Sequence, residues 1–345
     1  MPGVRKRGEA IRSYILDNVA EHTFDIVART AKRFDISRQA VNHHIRRLVE
    51  QNDILVEGPR SRPKYRLVIQ AEYDYEVALD KSVEEDLVWR KFVLPHVVDL
   101  PENILAIWEY GVTEMINNAV DHSEGTVLTI LVSEYKNRFD VWVIDNGIGI
   151  FKKITAAMGL EDERHAVLEL AKGKFTTDPD NHTGEGIFFS SRMFDHFSIL
   201  SGDVYFAHRY EDPSDWISNT KHASSGTSVW MGLKSNCRRT VQSVFDKYAG
   251  PEDYAFTKTV VPVSLAEYGD ETLVSRSQAK RLLTRVDRFT EVLFDFKNVK
   301  RVGQAFADEI FRVFAKKHPE IDISVINASP KIRQMISRAQ THQEA

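Results

Sequence analysis

Apolar residues recur at Ile11, Ile15 and Val19, the i, i+4, i+8 spacing of one helix face. A second helix fits residues 24–34, with Ile26, Val27, Thr30 and Ala31 toward its inner side. Asp35-Ile36-Ser37 reads as a turn, and Ser37 suits the N-cap of a third helix. The buried stripe of that helix is Val41, Ile45, Leu48 and Val49, which puts Arg38, Gln39, Asn42, His43 and Arg46 on the opposite face. Two short apolar runs, 54–56 and 65–69, flank a proline-bearing turn that carries Arg60, Arg62 and Lys64. Residues 71–100 read as a helical connector, with a helix over 83–98 packing through Leu87, Phe92 and Val93.

Residues 104–122 predict a helix whose inner face is Ile107, Val112, Met115, Ile116 and Ala119. Strands follow over 126–132 and 139–144, separated by a polar turn. Residues 173–182 are polar enough for a lid, and Thr183-Gly184-Glu185-Gly186 then opens a helix. Ser224 to Leu233 reads as a turn entering a core strand. After a mixed linker, 236–259, strands at 260–263, 291–296 and 321–327 alternate with helices at 275–286, 304–317 and 329–339. That alternation predicts a small α/β sandwich. The fold class expected is therefore multidomain α+β and α/β.

Composition adds the charge balance. Residues 1–70 hold 14 Lys+Arg against 8 Asp+Glu, a net of +6, whereas the remainder holds 32 against 42, a net of −10. A basic head on an acidic body suits an anion partner, although basic surfaces also occur on proteins that bind no nucleic acid. The single cysteine, Cys237, excludes an internal disulfide and a cysteine-based zinc site. No apolar run reaches the roughly 20 residues that span a bilayer, and no apolar stretch follows the basic start. A cytoplasmic protein with no membrane contact is expected.

Candidate chemistry sits in the middle of the chain. Glu114 and Asn118, four apart, project from one side of their helix. An amide oxygen can ligate a water-rich Mg²⁺ on phosphates while the carboxylate orients or deprotonates a water. By itself Glu-x-x-x-Asn also arises on solvated helix faces. Asp145 at a strand end, followed by Gly147 and Gly149, can hydrogen-bond an adenine amino group, yet Asn146-Gly147 suits a plain hairpin as well. Gly184 and Gly186 let backbone N–H groups approach a polyphosphate at a helix start. A P-loop is missing, and Thr183 to Ile187 lacks the third glycine of a dinucleotide fingerprint.

Taken in order, Glu114-x-x-x-Asn118-Ala119, Asp145-x-Gly147-x-Gly149, Gly184-x-Gly186 and Gly226-Thr227 resemble the GHKL ATP-binding family over residues 101–235. Gyrase, heat-shock chaperone, histidine-kinase and mismatch-repair domains belong to that family. The segment Asn118-Ala119-Val120-Asp121-His122 is similar to its anti-sigma-factor kinase branch. The resemblance implies ATP and Mg²⁺ as cofactors, with Asn118 as metal ligand and Glu114 as the catalytic or water-orienting carboxylate. It places Asp145 on adenine, shaped by Gly147 and Gly149 and backed by Thr227, and Gly184 and Gly186 on phosphates. Asp121, His122, Lys174 and Thr183 are counted with the nucleotide-binding residues.

Residues 1–70 resemble a winged helix-turn-helix domain, which implies duplex DNA contacts through Arg38, Gln39, Asn42, His43, Arg46, Arg60, Arg62 and Lys64. A small helical bundle used for dimerisation or protein contact fits the same pattern. Residues 260–345 resemble a STAS-like domain, on Asp295-Phe296-Lys297 through Gly303-Gln304-Ala305-Phe306. Phosphorylated members carry serine or threonine where Gln304 and Ala305 stand, a departure that argues against phosphotransfer to this site. The expected function is an ATP-binding, DNA-binding regulator with a protein partner on its STAS-like domain; a homodimer is compatible with it. An anti-sigma-type serine/threonine kinase, or a scaffold that holds ATP without turnover, are the alternatives, so enzymatic activity stays open between ATP hydrolysis and phosphotransfer.

Overall fold

The computed structural model describes residues 2–80, 82–175, 184–211, 215–250, 255–267 and 272–341. The chain divides into two compact units, Met1–Tyr75 with Ile130–Val141 and Gly232–Cys237, and Glu76–Thr129 with Trp142–Met231 and Arg238–Ala345. In the first, helices α1 (Pro2–Asn18), α2 (Ile26–Phe34) and α3 (Arg38–Glu50) precede an antiparallel hairpin of β1 (Ile54–Glu57) and β2 (Lys64–Leu67). Helix α2 stops where Asp35 turns left-handed at φ 50°, and α3 starts where the Ser37 side chain accepts the Ala40 N–H at 3.1 Å. Ile11, Ile15, Val19, Ile26, Val41, Ile45 and Leu48 bury together with Ile54 and Tyr65. Val49, expected in that stripe, is 39% exposed, because it lies about 100° around the helix from Leu48.

Residues 71–100 depart from the expected helical connector. Strand β3 (Ala71–Ala78) occupies their start, with Tyr73, Tyr75 and Val77 half-buried and Glu72, Asp74 and Glu76 exposed in strict alternation. A short helix α4 (Glu85–Val88) then passes through a π turn, Trp89–Val93, into α5 (Leu94–Val97). Its inward residues are Trp89, Val93 and Val97, whereas Leu87 is exposed.

Helix α6 (Glu102–His122) is the longest, buried along Ile104, Ile107, Trp108, Val112, Met115 and Ile116. It leads to β4 (Val127–Glu134), β5 (Arg138–Asp145), α7 (Ile150–Met158), α8 (Glu163–Lys172), α9 (Gly186–Met193), β6 (His196–Arg209) and β7 (Trp216–Lys234). The larger sheet has the order β3-β4-β5-β7-β6. Helices α7 and α8, strand β6 and the first half of β7 were not anticipated by periodicity. The expected linker over 236–259 contains a helix, α10 (Val241–Tyr248), started by a capping box of Thr240 and Ser243.

The last module alternates as expected: β8 (Lys258–Pro262), α11 (Arg276–Leu283), β9 (Glu291–Asp295), α12 (Gln304–Asp308) running through a π turn into α13 (Ala315–Lys317), β10 (Asp322–Ile326) and α14 (Pro330–Thr341). Its sheet is parallel in the order β10-β9-β8, with Leu293 between Val260 and Ser324. The chain is thus mixed α/β with separate sheets, and among the described residues no helix is long and apolar enough to cross a membrane.

Candidate functional site

A cavity of about 270 Å³ opens in the second unit between α6, the end of β5, α7, α8, the start of α9 and β7. Of the residues singled out in the sequence, Glu114, Asn118, His122, Asp145, Gly184, Gly186 and Thr227 line it. They come from segments up to 113 residues apart, so only the fold brings them together.

Two clusters stand out. In the first, Asp145 is buried at the end of β5, and its Oδ1 accepts the N–H of Gly147 at 2.9 Å and of Thr227 at 3.2 Å. The Thr227 hydroxyl in turn accepts the Ile150 N–H at 3.0 Å, tying the start of α7 to β7. Burial pushes the Asp145 carboxyl above the usual aspartate range, and the hydrogen bonds from Gly147 and Thr227 oppose that shift. Gly147 and Gly149 build the turn rather than the cavity wall; a Cβ on Gly147 would stand 2.0 Å from the Ser123 carbonyl oxygen.

In the second cluster, the Asn118 amide nitrogen donates to the Glu114 carbonyl at 2.8 Å. That leaves the amide oxygen as the atom for an outside ligand. The Glu114 carboxylate lies against the backbone of Gly186, where a Cβ would meet Oε2 at 1.9 Å. The amide of Phe175 donates to the carbonyl of Gly184 at 3.0 Å, joining the end of α8 to the start of α9. Apolar walls of Met115, Val143, Ile150, Ile154 and Val229 complete the space.

Besides Gly147 and Gly149, three further expected residues lie elsewhere or outside the described residues. Asp121 is exposed on α6 and does not line the cavity. Lys174 does not line it either: its ammonium donates to the Arg288 carbonyl at 3.1 Å and sits 5.0 Å from the Phe289 ring centroid. Thr183, with most of the expected lid over 173–182, falls outside the described residues.

Among the described residues, the lysine that lines the cavity is Lys153, whose ammonium donates to the His122 carbonyl at 2.8 Å and lies 3.5 Å from Glu124. A signal for it exists in the sequence, since Ile150, Lys153 and Ile154 share one face of a helix that starts at Gly149. Phe175 and Leu170, also unanticipated, supply further wall.

The expected DNA-contact residues can be placed too. Arg38, Gln39, Asn42, His43 and Arg46 are exposed on α3, as are Arg60 and Arg62 in the hairpin turn. Lys64 is half-buried on β2. Arg62 lies 5.2 Å from the centroid of the exposed Phe24 ring.

No curated protein matches the chain. A model of the STAS-like domain of unknown function (DUF4325) matches residues 278–333. The C-terminal stretch from α11 into α14 is therefore similar to that STAS-like family, in agreement with the resemblance read from its sequence.

Proposed function

We infer that the chain is a nucleotide-controlled regulator that binds Mg·ATP in the central cavity and duplex DNA through its N-terminal module. The observation that carries this is the convergence of Glu114, Asn118, Asp145, Gly184, Gly186 and Thr227 on one cavity with an apolar middle. The residues present fit the nucleotide. Asp145 offers a buried carboxylate to an exocyclic amino group, and the backbone of Gly184, Gly186 and Ile187 offers a helix start to phosphates. Among the described residues no group of three or more His, Cys, Asp or Glu could hold a metal. Mg²⁺ would therefore take the Asn118 oxygen plus phosphate and water oxygens, a shell this ion favours. When bound, the metal would neutralise phosphate charge. Glu114 would orient or deprotonate a water beside it, and Lys153 would add the cation that Lys174 does not provide. The STAS-like domain is compatible with a regulatory, protein-contacting role.

The deciding experiment measures DNA binding of wild type and Asn118→Ala with and without Mg·ATP at one fixed salt concentration. A nucleotide-dependent affinity in wild type that vanishes in the variant supports the reading. Binding of Mg·ATP with no DNA affinity in either state removes the DNA arm and redirects the search to a protein substrate.

Two further outcomes are expected. Mg·ATP affinity should decline on acidification at a higher pH than an ordinary aspartate would give, because protonating Asp145 removes an acceptor and its pKa is raised. Isothermal titrations across pH 4–7 check this, and a flat profile argues against Asp145 on the base. For the DNA arm, the double variant Arg60→Ala/Arg62→Ala should make the slope of log affinity against log salt shallower by about 2, one unit for each phosphate no longer neutralised. An unchanged slope would place the phosphate-binding surface away from the hairpin turn.

A further inference from the structure

Helix α8 separates the cavity from the STAS-like module and touches both. Leu170 lines the cavity. Two residues later Lys172 is 1% exposed, and its ammonium donates to Glu169 at 2.6 Å and to the carbonyls of Thr284 at 2.5 Å and Leu282 at 3.4 Å. The Thr259 hydroxyl donates to the Lys172 carbonyl at 2.7 Å. A buried ammonium is tolerated when each of its three donors has a partner, and here the partners are one carboxylate and the C-terminal carbonyls of α11.

Arg285 comes next along the chain. Its backbone is left-handed at φ 59°, a conformation uncommon outside glycine, and Lys174 opposite it is left-handed at φ 52°. The Arg285 guanidinium lies 3.4 Å from Glu169, donates to the Lys174 carbonyl and stands 4.8 Å from the Phe175 ring centroid. Arg288 donates to the same carbonyl at 3.3 Å. Phe175 is itself a cavity wall and holds the Gly184 carbonyl. Residues 172–175 are thus gripped by groups from 259–288, while Phe175 and Gly184 form the wall on the cavity side.

We propose that Arg285 is a positioning residue for the central cavity: through Lys174 and Phe175 it sets one wall, so that cavity occupancy and the packing of the STAS-like module are thermodynamically linked. This rests on the nucleotide reading of the cavity. A ligand that presses on Phe175 changes the free energy of the Arg285 contacts. By reciprocity, a partner that draws α11 outward changes nucleotide affinity by the same factor.

The test uses the full chain in three forms, wild type, Arg285→Ala and Arg285→Lys. Mg·ATP affinity, thermal stability and amide exchange with and without Mg·ATP are measured for each. In wild type, Mg·ATP is expected to slow exchange both at α6 and α9 and across residues 276–288. Arg285→Ala is expected to weaken affinity about 5- to 150-fold, the usual range of such coupling, and to erase the slowing at 276–288 while α6 still responds at saturation. Arg285→Lys should recover part of the affinity. Slowing at α6 and α9 with none at 276–288 in wild type overturns the coupling and leaves the nucleotide reading intact. So does a variant that loses thermal stability but keeps wild-type affinity, which would make Arg285 merely structural. No slowing at α6 or α9 overturns the nucleotide reading, and the coupling falls with it.

Discussion

Gly226→Ala is expected to cost about 3–5 kcal/mol of stability, whereas Gly186→Ala, in the cavity wall, is expected to leave stability nearly unchanged and disable the site. Gly226 has φ +72°, and a Cβ there would stand 1.9 Å from the Asp145 carbonyl oxygen and 2.7 Å from its carbon. Both obstacles are backbone, at the end of β5, so neither can rotate away. Alanine would carry the left-handed penalty and also push β5 from β7, separating Asp145 from Thr227. Gly186 does not have a positive φ, and the atom its Cβ would strike is Glu114 Oε2, the far end of a flexible side chain. The carboxylate would swing aside, and the fold would survive.

Thermal unfolding distinguishes the two variants. Gly226→Ala should lower Tm by roughly 5–15 °C, and Gly186→Ala by about 1 °C or less. The Mg·ATP turnover proposed for the cavity should then fall by at least about 100-fold in Gly186→Ala, because a displaced Glu114 would no longer face the water proposed for it. Equal Tm losses would mean that Glu114 is held rigidly. Wild-type turnover in Gly186→Ala would remove Glu114 from the chemistry.

The sequence carried much of the candidate site because its parts obey short-range rules. Glu114 and Asn118 sit one turn apart, Asp145 ends a strand, and Gly184 and Gly186 open a helix. What it did not carry depends on partners distant in the chain. Lys174, in a polar stretch, is counted among the nucleotide-binding residues, yet its ammonium donates to the carbonyl of Arg288, 114 residues later. Lys153 drew no attention in the sequence, and its place at the cavity is fixed by the carbonyl of His122, 31 residues earlier, which accepts from its ammonium. Strand β3 was passed over because its charged alternate residues suggested a connector, although their period of two with Tyr73, Tyr75 and Val77 is a strand signature. The first half of β7, from Trp216 through Ser224, has little apolar alternation, and its strand character comes from its sheet neighbour β6, with Asn219 bonded to Asp203 and Trp216 against Tyr205. By contrast, the β8 to α14 module repeats short apolar strands and amphipathic helices, and there expected and observed elements differ by only a few residues at their ends.

Asp215→Ala is expected to destabilise the second unit by about 3–5 kcal/mol at neutral pH, the usual loss when one partner of a buried ion pair is removed. Asp215, Arg192 and His208 are all buried, with Arg192 at 3.1 Å from one Asp215 oxygen and His208 Nδ1 at 2.5 Å from the other. Burial alone would raise the Asp215 pKa, but Arg192 and His208 outweigh it and hold the carboxyl below its ordinary value. Burial, reinforced by Arg192, lowers the His208 pKa despite Asp215 beside it, so the ring is neutral at pH 7 and the charged pair is Arg192 with Asp215. The pH dependence follows in sign. The Asp215 contribution is complete above the ordinary aspartate range and is lost only as pH falls through its lowered native value. His208 acts earlier: below about pH 6.5 the unfolded chain takes up a proton that the native ring resists, so wild-type stability should decline between pH 7 and 5. His208→Gln should flatten that decline. Denaturant unfolding of wild type, Asp215→Ala and His208→Gln at pH 7.5 and 5.5 measures both effects. A small loss in Asp215→Ala would mean that water reaches Arg192 once its partner is gone. A steep acid decline that persists in His208→Gln would assign the titration to another group.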